Sequence, residues 1–195
     1  MTEDKIEQNA LQILQQSGWD YLNGPEIGPD GNCERQYSDV ILRRRFSDAI
    51  YRINPGILES SVEEVIKKVT QTTHPELLLD NKDLHELLIN GVNIEYRADN
   101  GEIKNTNIKL IDFDNISNNE FVAVNQLTII QNEINRRPDV VLFVNGLPLV
   151  VIEIKNAADS KADLSMAYRQ IQTYKKQISG LFRFNELCVI TDGID

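Results

Sequence analysis

The sequence predicts an α/β fold, a central β-sheet flanked by helices with further helices added on the N-terminal side. Three observations carry that expectation. Up to about residue 90 the apolar positions recur at helical spacing, from Val92 the period changes to the alternation of strands, and an amphipathic stretch over 161–178 is followed by the short apolar run 187–191. At 195 residues the chain is long enough to bury a substantial core as one domain.

The elements follow in order. Ile6, Ala10, Leu11, Ile13 and Leu14 fall at helical spacing and Gly18 stops the chain before Trp19, which predicts a helix over 3–17 with Glu7 at the edge of its buried face. The Gly/Pro-rich segment 23–32 reads as a loop, and Val40, Ile41, Phe46, Ala49 and Ile50 predict a helix over 34–53 that Pro55-Gly56 ends. Ser60-x-x-Glu63 and Ser61-x-x-Glu64 are capping-box patterns opening a helix through about Gln71. A shorter helix is predicted over 82–89. Val92, Ile94 and Tyr96 then alternate with polar residues, Asp99-Asn100-Gly101 offers a hairpin turn, and a strand follows over 102–113. Strands are also predicted over 121–130, 139–144, 149–155 and 187–191, with the helix over 161–178 burying Leu164, Ala167, Tyr168, Ile171, Tyr174 and Ile178.

Composition narrows the function classes. Hydrophobic and charged contents of 41% and 26% are ordinary for folded proteins, and no apolar run approaches the roughly 20 residues that span a bilayer. The polar start from Met1 to Glu7 is neither a signal nor a transit peptide, so a cytoplasmic, membrane-free protein is expected. Cys33 and Cys188 belong to no zinc or disulfide pattern and read as reduced thiols, while His74 and His85 read as ordinary surface or partly buried histidines. A net charge of −10 argues against gripping nucleic acid by electrostatics alone. The basic clusters Arg43-Arg44-Arg45, Arg136-Arg137 and Lys175-Lys176 are short, and solvated charge explains them at least as well as a phosphate track.

The informative segment runs from Arg137 to Lys155, where Asp139, Glu153 and Lys155 stand inside otherwise apolar strands. A carboxylate there costs several kcal/mol unless a cation or hydrogen bonds compensate it. Glu-x-Lys alone is weak, since about one per chain of this length arises by chance. Glu3-Asp4-Lys5 and Glu102-Ile103-Lys104 are such decoys, without apolar flanks. Strand alternation puts Glu153 and Lys155 on one face. A two-residue Asn145-Gly146 turn would set Asp139 opposite Ile152, on the wrong face, whereas a three-residue loop pairing Val144 with Pro148 sets it opposite Glu153. The longer loop is therefore expected, with Gly146 or Leu147 adjusting as a bulge. Asp139, Glu153 and the Ile154 carbonyl would then bind Mg²⁺, and Lys155 would orient an attacking water or stabilise charge on a phosphate. An inert buried ion pair is the competing reading.

Pro138-Asp139 followed by Glu153-Ile154-Lys155 resembles the PD-(D/E)xK nuclease superfamily. Asn125-Gln126, Arg137-Pro138-Asp139, Phe143-Val144-Asn145-Gly146-Leu147-Pro148, Glu153-Ile154-Lys155-Asn156, Ala167 to Tyr174 and Leu181 to Asn185 look like the N-terminal nuclease region of the type I restriction enzyme R subunit. The resemblance spans essentially the whole chain and is densest from Asn125 onward. It implies a restriction-endonuclease-like core with a mixed sheet and an Mg²⁺-dependent endonuclease (Mn²⁺ substituting) that cuts duplex DNA non-specifically. It further implies that methylation and specificity subunits are the partners. The implied ATP-driven motor would lie elsewhere in a longer polypeptide, because the 195 residues hold no G-x-x-x-x-G-K-[ST] run. Gln170-x-x-x-Tyr174 matches the family's QxxxY element, and Glu7 aligns with the acidic residue that the superfamily often places on its first helix near the metal. A stand-alone repair or junction nuclease and a non-catalytic docking module are the alternatives.

Overall fold

A computed structural model describes residues 2–97, 102–156 and 164–192. In chain order the elements are α1 (Glu3–Gln16), β1 (Asp20–Asn23), α2 (Gly24–Ile27), α3 (Arg43–Ile53), α4 (Glu59–Thr70), α5 (Leu77–Asn90), β2 (Val92–Arg97) and β3 (Ile103–Ile108). There follow β4 (Phe121–Asn125), β5 (Ile129–Gln131), β6 (Ile134–Arg136), β7 (Val140–Val144), β8 (Leu147–Ile154), α6 (Leu164–Gln177), α7 (Ser179–Arg183) and β9 (Leu187–Thr191). Five strands form the central sheet in the order β1-β4-β7-β8-β9, with the outer pairs parallel and the inner pairs antiparallel. The expected mixed sheet flanked by helices is what the chain forms. Among the described residues no helix is long and apolar enough to cross a membrane.

Strand alternation divides the sheet residues between two apolar layers. Val122, Val124, Val141, Phe143 and Val151 pack with Ile171, Tyr174 and Ile178 of the α6 region. Ala123, Val140, Leu142, Ile152 and Ile154 pack with Ile6 and Leu11 of α1. A third cluster joins α3, α4, α5 and the separate β2–β3 ribbon to Leu147 and Leu149 at the far end of β8. The N-terminal helices are thus a layer added beside the sheet.

Several expectations are corrected. The helix expected over 34–53 begins only at Arg43, because tertiary bonds claim the preceding backbone. Arg35 is buried and donates to the carbonyls of Tyr37, Asp39 and Thr128, while Leu42 N–H donates to Gly146 O. Neither capping box forms, since α4 starts at Glu59 without a side-chain cap. The start of the loop expected over 23–32 instead gives the end of β1 and the one-turn α2, and α5 starts five residues early at Leu77. The strand expected over 121–130 is cut by Gln126, whose φ of 51° turns the chain into a separate β5–β6 hairpin. The strand over 102–113 stops at Ile108. Ile13, expected inward, is 63% exposed, and Tyr168 is 58% exposed. The turn at Asp99-Asn100-Gly101 and the first residues of the helix expected over 161–178 lie outside the described residues.

Candidate active site

The β7–β8 connection overturns the loop expectation and preserves its consequence. Val144 pairs with Leu147 across a two-residue Asn145-Gly146 turn, both residues having positive φ (53° and 79°), as a type I′ turn requires. The register then shifts between Leu142 and Phe143. Phe143 faces Pro148 but Leu142 faces Val150, so Leu149 is an extra residue on β8. Beyond this bulge Val140 pairs with Ile152, and the same register sets Asp139 opposite Glu153. The one-residue correction was foreseen in the loop and occurs two residues past it, where Pro148 cannot donate to a regular ladder.

Asp139, Glu153 and Lys155 therefore meet. Ile154 N–H donates to Asp139 Oδ2 at 2.7 Å. Lys155 Nζ donates to Glu153 Oε1 and to the Ile154 carbonyl, each at 2.9 Å, and lies 3.7 Å from Glu3 Oε1. Glu153 is fully buried, and its Oε2 has no hydrogen-bond partner. Burial, reinforced by the Asp139 charge and opposed by Lys155, pushes the Glu153 carboxyl up to about 7. Burial works against the Lys155 ammonium, but its hydrogen bond to Glu153 and the charges of Glu153, Asp139 and Glu3 outweigh that and hold its pKa above the ordinary lysine value. Lys155 is thus a cation at neutral pH.

The other expected residues take distinct places. Glu7 is buried, and its two oxygens accept from Asn125 Nδ2 (2.8 Å) and Gln126 Nε2 (2.5 Å). Gln126 N–H in turn donates to the Asp139 carbonyl at 2.8 Å, so Glu7 braces the backbone that carries Asp139. Among the described residues no three His, Cys, Asp or Glu side chains converge as a metal cluster. Gln170 Nε2 donates to Tyr174 OH at 2.6 Å, and that hydroxyl reaches the Arg137 carbonyl at 3.5 Å. Burial, aided by the negative charges of Glu153 and Asp139, pushes the Tyr174 phenol up to about 12, so it stays protonated and available as a donor.

Two carboxylates and a carbonyl are hard-oxygen donors suited to a divalent cation such as Mg²⁺, which keeps several waters and so needs few protein ligands. The unpartnered Glu153 Oε2 is the atom such an ion would satisfy. The donor set fits the ion.

All 195 residues match the family model described as type I restriction enzyme R protein N terminus. The chain belongs to this family. It is 41% identical over 197 residues to the type I restriction enzyme HindI endonuclease subunit of Haemophilus influenzae, and 37% identical over 199 residues to the putative MjaIXP endonuclease subunit of Methanocaldococcus jannaschii. Both matches take in the whole chain but only 19% of each relative's length.

Sequence reasoning about this R-protein N terminus missed two contributors. Tyr21 OH donates to Asn125 Oδ1 at 3.1 Å, orienting the amide that holds Glu7, and β1, which carries it, gave no strand pattern. Glu3 entered the sequence reading only within the decoy Glu3-Asp4-Lys5, yet it is the α1 carboxylate that faces Lys155.

Proposed function

We propose that this chain is the nuclease region of a type I restriction R subunit, an Mg²⁺-dependent endonuclease of PD-(D/E)xK type. It hydrolyses phosphodiester bonds of duplex DNA without sequence preference. Cleavage follows ATP-driven translocation by motor domains elsewhere in the parent polypeptide, within a complex that includes methylation and specificity subunits. The observation that carries this reading is the bulge at Leu149. It spends a ladder position to bring Asp139 against Glu153 and leaves a buried carboxylate oxygen unpaired beside a lysine.

Asp139, Glu153 and the Ile154 carbonyl would hold the ion, which supplies charge neutralisation at the phosphate and an acidified water. The chain's own groups do the rest. Ile154 N–H fixes the Asp139 carboxylate. Lys155, already a cation, stabilises the negative charge that grows on the phosphate oxygens in the transition state. Tyr174, kept protonated and oriented by Gln170, presents a hydroxyl donor on the same side of the sheet.

The test uses the assembled restriction complex. Asp139→Ala and Lys155→Ala should each lower DNA cleavage by about 10²-fold or more, with ATP hydrolysis and translocation intact. Cleavage at the normal rate in either variant would refute the nuclease reading in favour of an inert ion pair in a docking module.

A further inference from the structure

A cleft of about 360 Å³ is walled by Asn135, Arg136 and Arg137 on one side and by Gln170, Thr173 and Tyr174 of α6 on the other. Its cations are not neutralised. The chain carries a net charge of −10, and most of the lysines and arginines whose side chains are described either form ion pairs or cap carbonyls. Arg137 is exposed, and among the described residues its guanidinium has no partner. Arg136 is fixed instead. Its Nε donates to Gln177 Oε1 at 2.6 Å and its Nη1 to the Asn135 carbonyl at 3.0 Å, so the guanidinium is held by neutral groups. Arg169 and Lys176 sit four residues before and three after Thr173, on the helical stripe bordering the cleft, and neither forms an ion pair among the described residues.

We propose that this cleft binds a DNA backbone phosphate adjacent to the one being cut, with Arg137 and Arg136 as its cations. The inference rests on the nuclease reading and adds a subsite to it. Arg137 is two residues before Asp139, where the chain bends into β7, and its carbonyl is within reach of Tyr174 OH. A strand whose reacting phosphate lies at Asp139 and Glu153 therefore meets the arginine pair within one or two nucleotides. Guanidinium donors suit phosphate oxygens, and the cleft is rigid on its Arg136 side before DNA arrives. An otherwise acidic domain thus sets two adjacent arginines where the backbone must be held.

The experiment compares Arg137→Ala, Arg137→Lys and the double variant Arg136→Ala/Arg137→Ala with Asp139→Ala in the assembled complex. Cleavage is followed over a series of KCl concentrations, with ATP hydrolysis and translocation as controls for folding and assembly. Arg137→Ala should cut roughly 10-fold more slowly at low salt, the deficit shrinking as salt rises because one phosphate contact is lost, with a slope change of about 1 on a log–log plot. Arg137→Lys should recover most of the rate, and the double variant should be worse than either. Normal cleavage by the double variant beside an inactive Asp139→Ala would overturn this subsite and leave the nuclease reading standing. A deficit that lysine does not rescue and salt does not change would overturn it in favour of a structural role. Cleavage by Asp139→Ala would remove both.

Discussion

Glu153 carries the clearest consequence at the scale of single residues. Its carboxyl titrates near 7 in the folded chain against an ordinary value of 4.5, so between those pH values the folded state holds a proton that the unfolded chain has released. Stability from this group is therefore lost as pH rises toward 7 and is not recovered above it. Glu153→Gln should melt higher than the parent at pH 8 in a chelator, by a margin on the order of 1–3 kcal/mol, and the gap should close toward pH 5. Calorimetric melts across that range check the sign. Added Mg²⁺ should narrow the difference at pH 8, because an ion that needs the ionised carboxylate stabilises only the parent. A second prediction concerns Glu7. Glu7→Ala leaves the Asn125 and Gln126 amides without their acceptor and should cost about 1–3 kcal/mol in denaturant unfolding. Asp139→Ala, by contrast, should remove divalent-cation binding.

Turn and bulge together decide the register of the β7–β8 hairpin. Asn145 is fully buried in the left-handed region. Its side chain accepts from Glu120 N–H and donates to the Leu110 carbonyl and to Asn119 Oδ1, which locks the turn to the segment before β4. Gly146 follows with φ of 79°, and a Cβ there would lie 2.6 Å from Leu42 O and 2.7 Å from Phe46 N. Gly146→Ala should therefore destabilise by roughly 2 kcal/mol or more, from both the backbone strain and the clash with the start of α3. Equilibrium urea unfolding would show it, and a loss under 0.5 kcal/mol would mean that the turn relaxes freely. The sequence was read as a three-residue loop here, because the bulge at Leu149 that reconciles an Asn-Gly turn with the Asp139–Glu153 register is invisible in it: an extra residue in an apolar run changes no residue type.

Across the whole molecule, one buried ion pair ties α7 to the helical layer of α4 and α5. Arg183 of α7 lies 2.8 Å from Asp80 Oδ2 of α5 and donates to the carbonyls of Val69 and Gln71 at the end of α4. Burial opposes ionisation of Asp80, but the Thr73 hydrogen bonds and the Arg183 charge outweigh it and hold the carboxyl below its usual range. The stability it contributes is present above about pH 4 and lost as pH falls further. Asp80→Ala leaves Arg183 buried without its counter-charge and should cost about 3–5 kcal/mol. Its unfolding should also depend less on pH below 4, as acid titration of the melting temperature would reveal.

The chain by itself determined the α/β class, most of the helices, the closing strand β9 and the identity of the charged trio. Those follow from local periodicity and from the cost of a charge in an apolar strand, both of which a sequence displays. Tertiary structure decided the rest. Residues 34–42 are helical by pattern but are drawn out by Arg35 and Gly146, Gln126 breaks a strand because Glu7 and Asp139 hold it, and the strand order of the sheet appears nowhere in the local pattern. Asp139 meets Glu153 only because cross-strand register responds to a single inserted residue, a long-range geometric choice that side-chain chemistry along one strand does not encode.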